Sequence, residues 1–143
     1  EQMQQLGLWK YIREAYKTDS TYTRIRTDYE VRPQYHSYGL LTRFIKPGAE
    51  IYPLDLGDDF AIGTAFQNSD GKWNYLFANG TDESKFVSVS NVEVKGRFDL
   101  YRYEKDNLPQ GDAPITAGEI AKVRDKKLRL EVKPHSVVLC HQQ

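Results

Sequence analysis

Cysteine is all but missing from this chain: Cys140 is the only one, which excludes an internal disulfide framework and any zinc site built on several cysteines. Its setting in the apolar run Val137-Val138-Leu139-Cys140 marks it as a buried small hydrophobe rather than a nucleophile. Histidine is nearly as scarce. His36, His135 and His141 are the three present, and no two stand at the i, i+4 spacing that lets one helix face hold a metal, so neither a metal nor another cofactor is expected. A surplus of one charge is also lacking: 20 Lys and Arg balance 20 Asp and Glu, and no overall field favours nucleic acid or an anionic membrane. No stretch approaches the ~18 consecutive apolar residues of a membrane span, and no signal-peptide pattern is present. Gly57, Gly63 and Gly71 fall at turn and strand positions rather than in a phosphate-cradling loop, and no Ser or Cys nucleophile signature accompanies His36.

What is present is enough for one folded domain: 143 residues, 39% of them hydrophobic. The neutral total hides a division, because residues 1–48 carry 8 basic and 5 acidic side chains, residues 49–118 carry 6 and 12, and residues 119–143 carry 6 and 3. The acidic middle disfavours polyanions. The chain opens at Glu1 rather than Met, which leads to the expectation that it was processed or cut from something longer.

Two hydrophobic periods divide the sequence. In residues 2–17, Leu8, Trp9, Ile12, Ala15 and Tyr16 recur at three- and four-residue steps and predict an amphipathic helix in need of a partner. Thr18-Asp19-Ser20-Thr21 breaks it, and residues 22–26 alternate as a short strand would. Pro33 then suits the first turn of a second helix, which Tyr35, Tyr38, Leu41, Thr42 and Ile45 continue until Lys46-Pro47-Gly48 stops it. From Ala49 onward the period is two: Phe60, Ile62, Thr64 and Phe66 share one strand face, and Trp73, Tyr75 and Phe77 share a face of the return strand beyond the Asn68-Ser69-Asp70-Gly71 turn. Segments 85–90, 92–95, 97–103, 119–124, 128–132 and 137–141 continue the pattern. The expected fold is mainly β, an antiparallel β-sandwich of about eight strands preceded by two α-helices, with a boundary between residues 1–48 and 49–143. Two helices and one strand are too few for a core of their own, so they must pack on the sandwich or on something further.

Aromatic residues make up 13% of the chain, and flat rings both fill cores and stack on the apolar face of a pyranose. Trp73, Tyr75 and Phe77 are core if their face points inward and a glycan platform if it points outward. Tyr101 and Tyr103, beside Asp99 and alternating with Phe98, Leu100 and Arg102, are a second outward candidate.

The run YEVRPQYHSYGLLTRFIKPG, residues 29–48, resembles the last helix of a (β/α)8-barrel glycoside hydrolase and its exit into a C-terminal β-domain. LRLEVKPHSVVLCHQ, residues 128–142, is similar to the closing strands of such β-domains, where Pro-x-Ser precedes a final apolar run. The resemblance is to retaining, Bacteroidetes-like enzymes. It implies that residues 2–17 and 33–46 are similar to the last two barrel helices and residues 22–26 to the final barrel strand. It also implies that the two catalytic carboxylates stand upstream of Glu1, so no catalytic residue is assigned here. Asp28 and Glu30 would follow the last strand on the active-site side and could line a sugar subsite, although the usual weighting of surface charge favours a solvated loop with helix-start charges. The partner so implied is a catalytic barrel of the same polypeptide, with a glycan as a further one, an extracytoplasmic location, and a dimer if the chain stands alone.

Overall fold

The computed structural model describes residues 7–17, 23–57, 61–90, 92, 96–104 and 106–143. Strands β1 (Trp9–Lys17) and β2 (Thr23–Val31) form an antiparallel hairpin, with Lys17 opposite Thr23 and Trp9 opposite Val31. This corrects the first predicted helix: residues 9–17 are strand, and residues 2–6 lie outside the described residues. Trp9, Tyr11, Ile12 and Tyr16 are strand-favouring types, and so short a window satisfies both periods until a partner strand decides. The predicted strand at 22–26 is correspondingly longer, reaching Val31, with residue 22 outside the described residues. It pairs antiparallel with β1 as half of a hairpin.

Helix α1 (Pro33–Phe44) is the expected second helix. Pro33 occupies its first turn, where a missing N–H is not needed, after an extended Arg32. The Ile45 N–H closes the last turn on the Leu41 carbonyl at 2.9 Å, and Gly48, at φ 82°, turns the chain into the sheet.

The remaining strands are β3 (Glu50–Leu54), β4 (Ala61–Gln67), β5 (Trp73–Asn79), β6 (Lys85–Val89), β7 (Arg97–Glu104), β8 (Ala117–Lys122), β9 (Leu128–Val132) and β10 (Ser136–Gln142). Six of them form an antiparallel sheet in the order β3-β4-β5-β10-β7-β8, and β6 pairs with β9 as a second, two-stranded layer. The fold is thus mainly β and sandwich-like, with eight strands between residues 49 and 143 as expected. The expected strand at 92–95 is absent at Val92, with 93–95 outside the described residues, while β3 was not foreseen. Pro53 masks β3, and it is tolerated because β3 is an edge strand.

The large sheet buries both faces. Towards β6 and β9, Tyr75, Phe77, Phe98, Leu100, Val138 and Cys140 meet Leu128, Leu130 and Val132 in the larger core. Towards α1, Phe66, Tyr101 and Leu139 meet Leu40 and Phe44 in a smaller one. This settles the aromatic face of β5: Tyr75 and Phe77 point inward to the larger core, and Trp73 is half-buried at its margin. On β4, Ala65 packs into the larger core while Phe66 lies under α1 and Ile62 stays exposed. Each fully buried Phe or Leu contributes about 1.5–3 kcal/mol, so the two cores carry most of the fold.

Asn side chains tie the parts together. Asn68, in the β4–β5 turn, donates from Nδ2 to the Phe44 carbonyl at 2.9 Å and accepts at Oδ1 from the Lys46 N–H at 3.1 Å, capping α1 from the sheet. Asn79, at the end of β5, does the same for the second layer, donating to the Val132 and Lys133 carbonyls at 3.0 and 3.1 Å. The β1–β2 hairpin is held to α1 by the Arg32 N–H on the Leu8 carbonyl at 2.9 Å and by Trp9 packed edge-on to Tyr35 at 5.3 Å.

Candidate functional site

A groove of about 540 Å³ opens at one end of the sandwich, between β7, β8, Lys133 just beyond β9 and the 107–116 loop. Strand alternation places Leu100, Arg102 and Glu104 on the face of β7 that carries the larger core, so the groove continues that core outward with charge. Arg102 donates from Nη1 to the Glu131 carbonyl at 2.9 Å and from Nη2 to Glu119 at 3.1 Å, while its buried Nε has no partner. Lys133 pairs with Glu104 at 3.1 Å. Leu108, Pro109, Pro114 and Ile115 supply an apolar wall.

The groove is built for hydrogen bonding. Both of its carboxylates, Glu104 and Glu119, are engaged by cations, which suits them to accept hydrogen bonds. Among the described residues, no three His, Cys, Asp or Glu side chains come together as they would to hold a metal ion. Arg102, Glu104, Glu119 and Lys133 were not picked out from the sequence, because they come from three separate segments: β7, β8 and the turn after β9. The one signal was a charged residue at the inward-facing position between Tyr101 and Tyr103.

The residues singled out in the sequence do not converge. Asp28 and Glu30 lie within β2, opposite Ile12 and Lys10, and not in a loop after a barrel strand. Tyr101 and Tyr103 share the helix-side face of β7, but Tyr101 is only 7% exposed, covered by the Phe44 ring at 4.5 Å with the Arg43 guanidinium 5.2 Å from its centroid. Tyr103 is half-buried beside that smaller core. Trp73 sits at the far end of the sheet, between Tyr52 at 5.5 Å and Tyr75, stacked at 6.3 Å. His36 is buried beneath α1 with Nδ1 unpartnered, and His135 meets Asp82 at the surface at 2.7 Å.

These features define a two-layered, open antiparallel β-sandwich with one helix packed on its larger sheet. That fold recurs in polysaccharide-degrading enzymes. It is shared with a glycoside hydrolase family 30 endoxylanase from Clostridium papyrosolvens (TM-score 0.64, 12% identity, 79% of this chain and 28% of that one). It is shared equally with the catalytic domain of xylanase C of that family from Talaromyces cellulolyticus (TM-score 0.67, 17% identity, 81% and 25%). A subfamily 8 xylanase from Clostridium acetobutylicum matches likewise (TM-score 0.63, 12% identity, 80% and 28%). The chain therefore spans only about a quarter of the length of these enzymes. No protein-family model matches the chain, and no curated protein is similar to it in sequence.

Proposed function

We propose that the chain is the non-catalytic C-terminal β-sandwich region of a glycoside hydrolase that acts on polysaccharide or oligosaccharide, packing against a catalytic barrel of the same polypeptide and stabilising it. The observation that carries this reading is the shared fold, which occupies about four fifths of this chain and about a quarter of each xylanase. Two features support it. Trp9 and Tyr38, 45% and 54% exposed on the hairpin and α1, leave apolar surface where residues 1–48 would meet the barrel. The groove carboxylates are each ion-paired rather than set as a facing acid and nucleophile. An extracytoplasmic location goes with the proposal.

The purified chain is expected to show no turnover of xylan or of an aryl xyloside, whereas a polypeptide carrying the barrel should lose thermal stability when residues 49–143 are removed. Turnover by the chain alone, or an unaltered melting temperature after the deletion, refutes the reading.

A second reading is an independent carbohydrate-binding module, and the exposed Tyr52 ring 5.5 Å from half-buried Trp73 favours it. Trp73 is then the proposed sugar-stacking residue, with Asp28, Glu30 and Tyr103 as further candidates and Tyr101 retained beneath the helix. Glycan binding abolished by Trp73→Ala with the fold intact supports this reading, and binding unaffected by that change overturns it.

A further inference from the structure

The hairpin that joins β8 to β9 gathers positive charge. Arg97, Lys122, Arg124, Lys126, Lys127 and Arg129 are all exposed and are accompanied in the hairpin by one carboxylate, Asp125. The other 14 Lys and Arg of the chain face 19 Asp and Glu, so the molecule is strongly polarised. Among the described residues, none of these six cations has an ion-pair partner. The arrangement is fixed by the backbone. Asp125 and Lys126, at φ 51° and 56°, form a tight two-residue turn, with reciprocal bonds between Arg124 and Lys127 at 3.0 and 2.8 Å. The register sets Arg97 beside Lys122, and the Lys126 carbonyl is anchored by the Val92 N–H at 3.0 Å.

Lys122, Arg124, Lys127 and Arg129 line one concavity of about 460 Å³ whose floor includes Ile120, itself more than half exposed. We infer that this concavity binds an acidic polysaccharide, the cations taking the uronate carboxylates and Ile120 the apolar face of a sugar ring. Like charges held unpaired on one rigid turn cost stability unless an anion neutralises them, and an apolar residue among them suits a ring better than a bare ion. No aromatic ring lines the concavity for base stacking, which disfavours a single-stranded nucleic acid. The choice of a polysaccharide over other polyanions rests on the function proposed above, whereas the site itself does not.

Affinity electrophoresis in native gels containing polygalacturonate, neutral arabinoxylan or single-stranded DNA tests the inference on the whole chain. Retardation by polygalacturonate alone is expected, lost near 1 M salt where the screening length is only ~3 Å. The double variant Arg124→Glu, Lys127→Glu, both at exposed positions, should bind at least about tenfold more weakly with a melting temperature no lower than that of the parent chain. Equal retardation by arabinoxylan, tighter binding to DNA, or a double variant that binds like the parent chain would each overturn the inference. Such an outcome would leave the deletion experiment on the barrel unaffected, so the two readings fail separately.

Discussion

Replacing Asn79 should be among the costliest single changes in the molecule. The side chain is 3% exposed and fully used: Nδ2 donates to the carbonyls of Glu83, Val132 and Lys133 at 2.8, 3.0 and 3.1 Å, and Oδ1 accepts from the N–H and hydroxyl of Thr81 at 3.0 and 2.8 Å. Asn79→Ala strands the buried Val132 carbonyl and loosens four part-buried groups. A net loss of about 0.5–1.5 kcal/mol per bond, with about 1–3 kcal/mol for a stranded buried group, gives a destabilisation of roughly 3–5 kcal/mol. That is a large share of the ~5–15 kcal/mol that holds such a domain together, and for this size it lowers the melting temperature by on the order of 10 °C. Asn79→Asp keeps the shape but turns a carboxylate oxygen towards three carbonyls, so it should cost at least as much as Ala. Urea unfolding followed by tryptophan fluorescence measures both. An Asp variant within about 1 kcal/mol of the parent chain would refute the view that these hydrogen bonds, rather than packing, join the two layers.

Asn68→Ala should cost about 1–2 kcal/mol by uncapping α1, read as a lower urea midpoint with loss of helical ellipticity ahead of the β signal. Burial pushes the Cys140 thiol up to about 12, against a smaller opposing effect of Arg102, so a thiol-reactive disulfide should leave the native chain unlabelled and modify it only as fast as it unfolds. Burial, helped by the Lys72 charge, holds the His141 imidazole below its ordinary 6.5. Folded and unfolded chains are both neutral at this residue above that value, and below it the unfolded chain takes the proton first. Stability should therefore fall as pH drops through and below 6.5, and His141→Gln should flatten that part of the curve; an unaltered slope would exclude His141 as its source.

The β-sheet region was legible because its strands alternate over turns rich in Asn, Asp and Gly, and because strands such as β9 bury one clear apolar face. The N-terminal hairpin was not. Leu8, Trp9, Ile12 and Tyr16 fit a helical stripe as well as a strand, and the choice is made by β2, whose pairing a local period cannot report. The orientation of β4 was hidden for a related reason: a sheet with a core on each side breaks the rule that only one face is apolar, and Phe66 answers to α1. Tyr101 is covered by the same helix. The role of Asn79 was hidden as well, since two of its partners lie 53 and 54 positions away. The charged groove was the least visible, being assembled from segments that no motif connects.

Strand β10 lies between β5 and β7 and, among the described residues, is the only link in the hydrogen-bond ladder between the β3-β4-β5 meander and the β7-β8 pair. The sheet is therefore two half-sheets joined along a single seam. A chain cut after Lys133 would present two open edges facing each other across a slot one strand wide, each having lost its ladder to the same missing segment. The peptide 134–143 carries everything the slot requires: Val138 and Cys140 for the larger core, Leu139 for the smaller, and the register on both sides. The molecule is in this sense a two-piece lock, and adding the peptide to the truncated chain is a route to fragment complementation, in which its insertion alone restores the closed sheet.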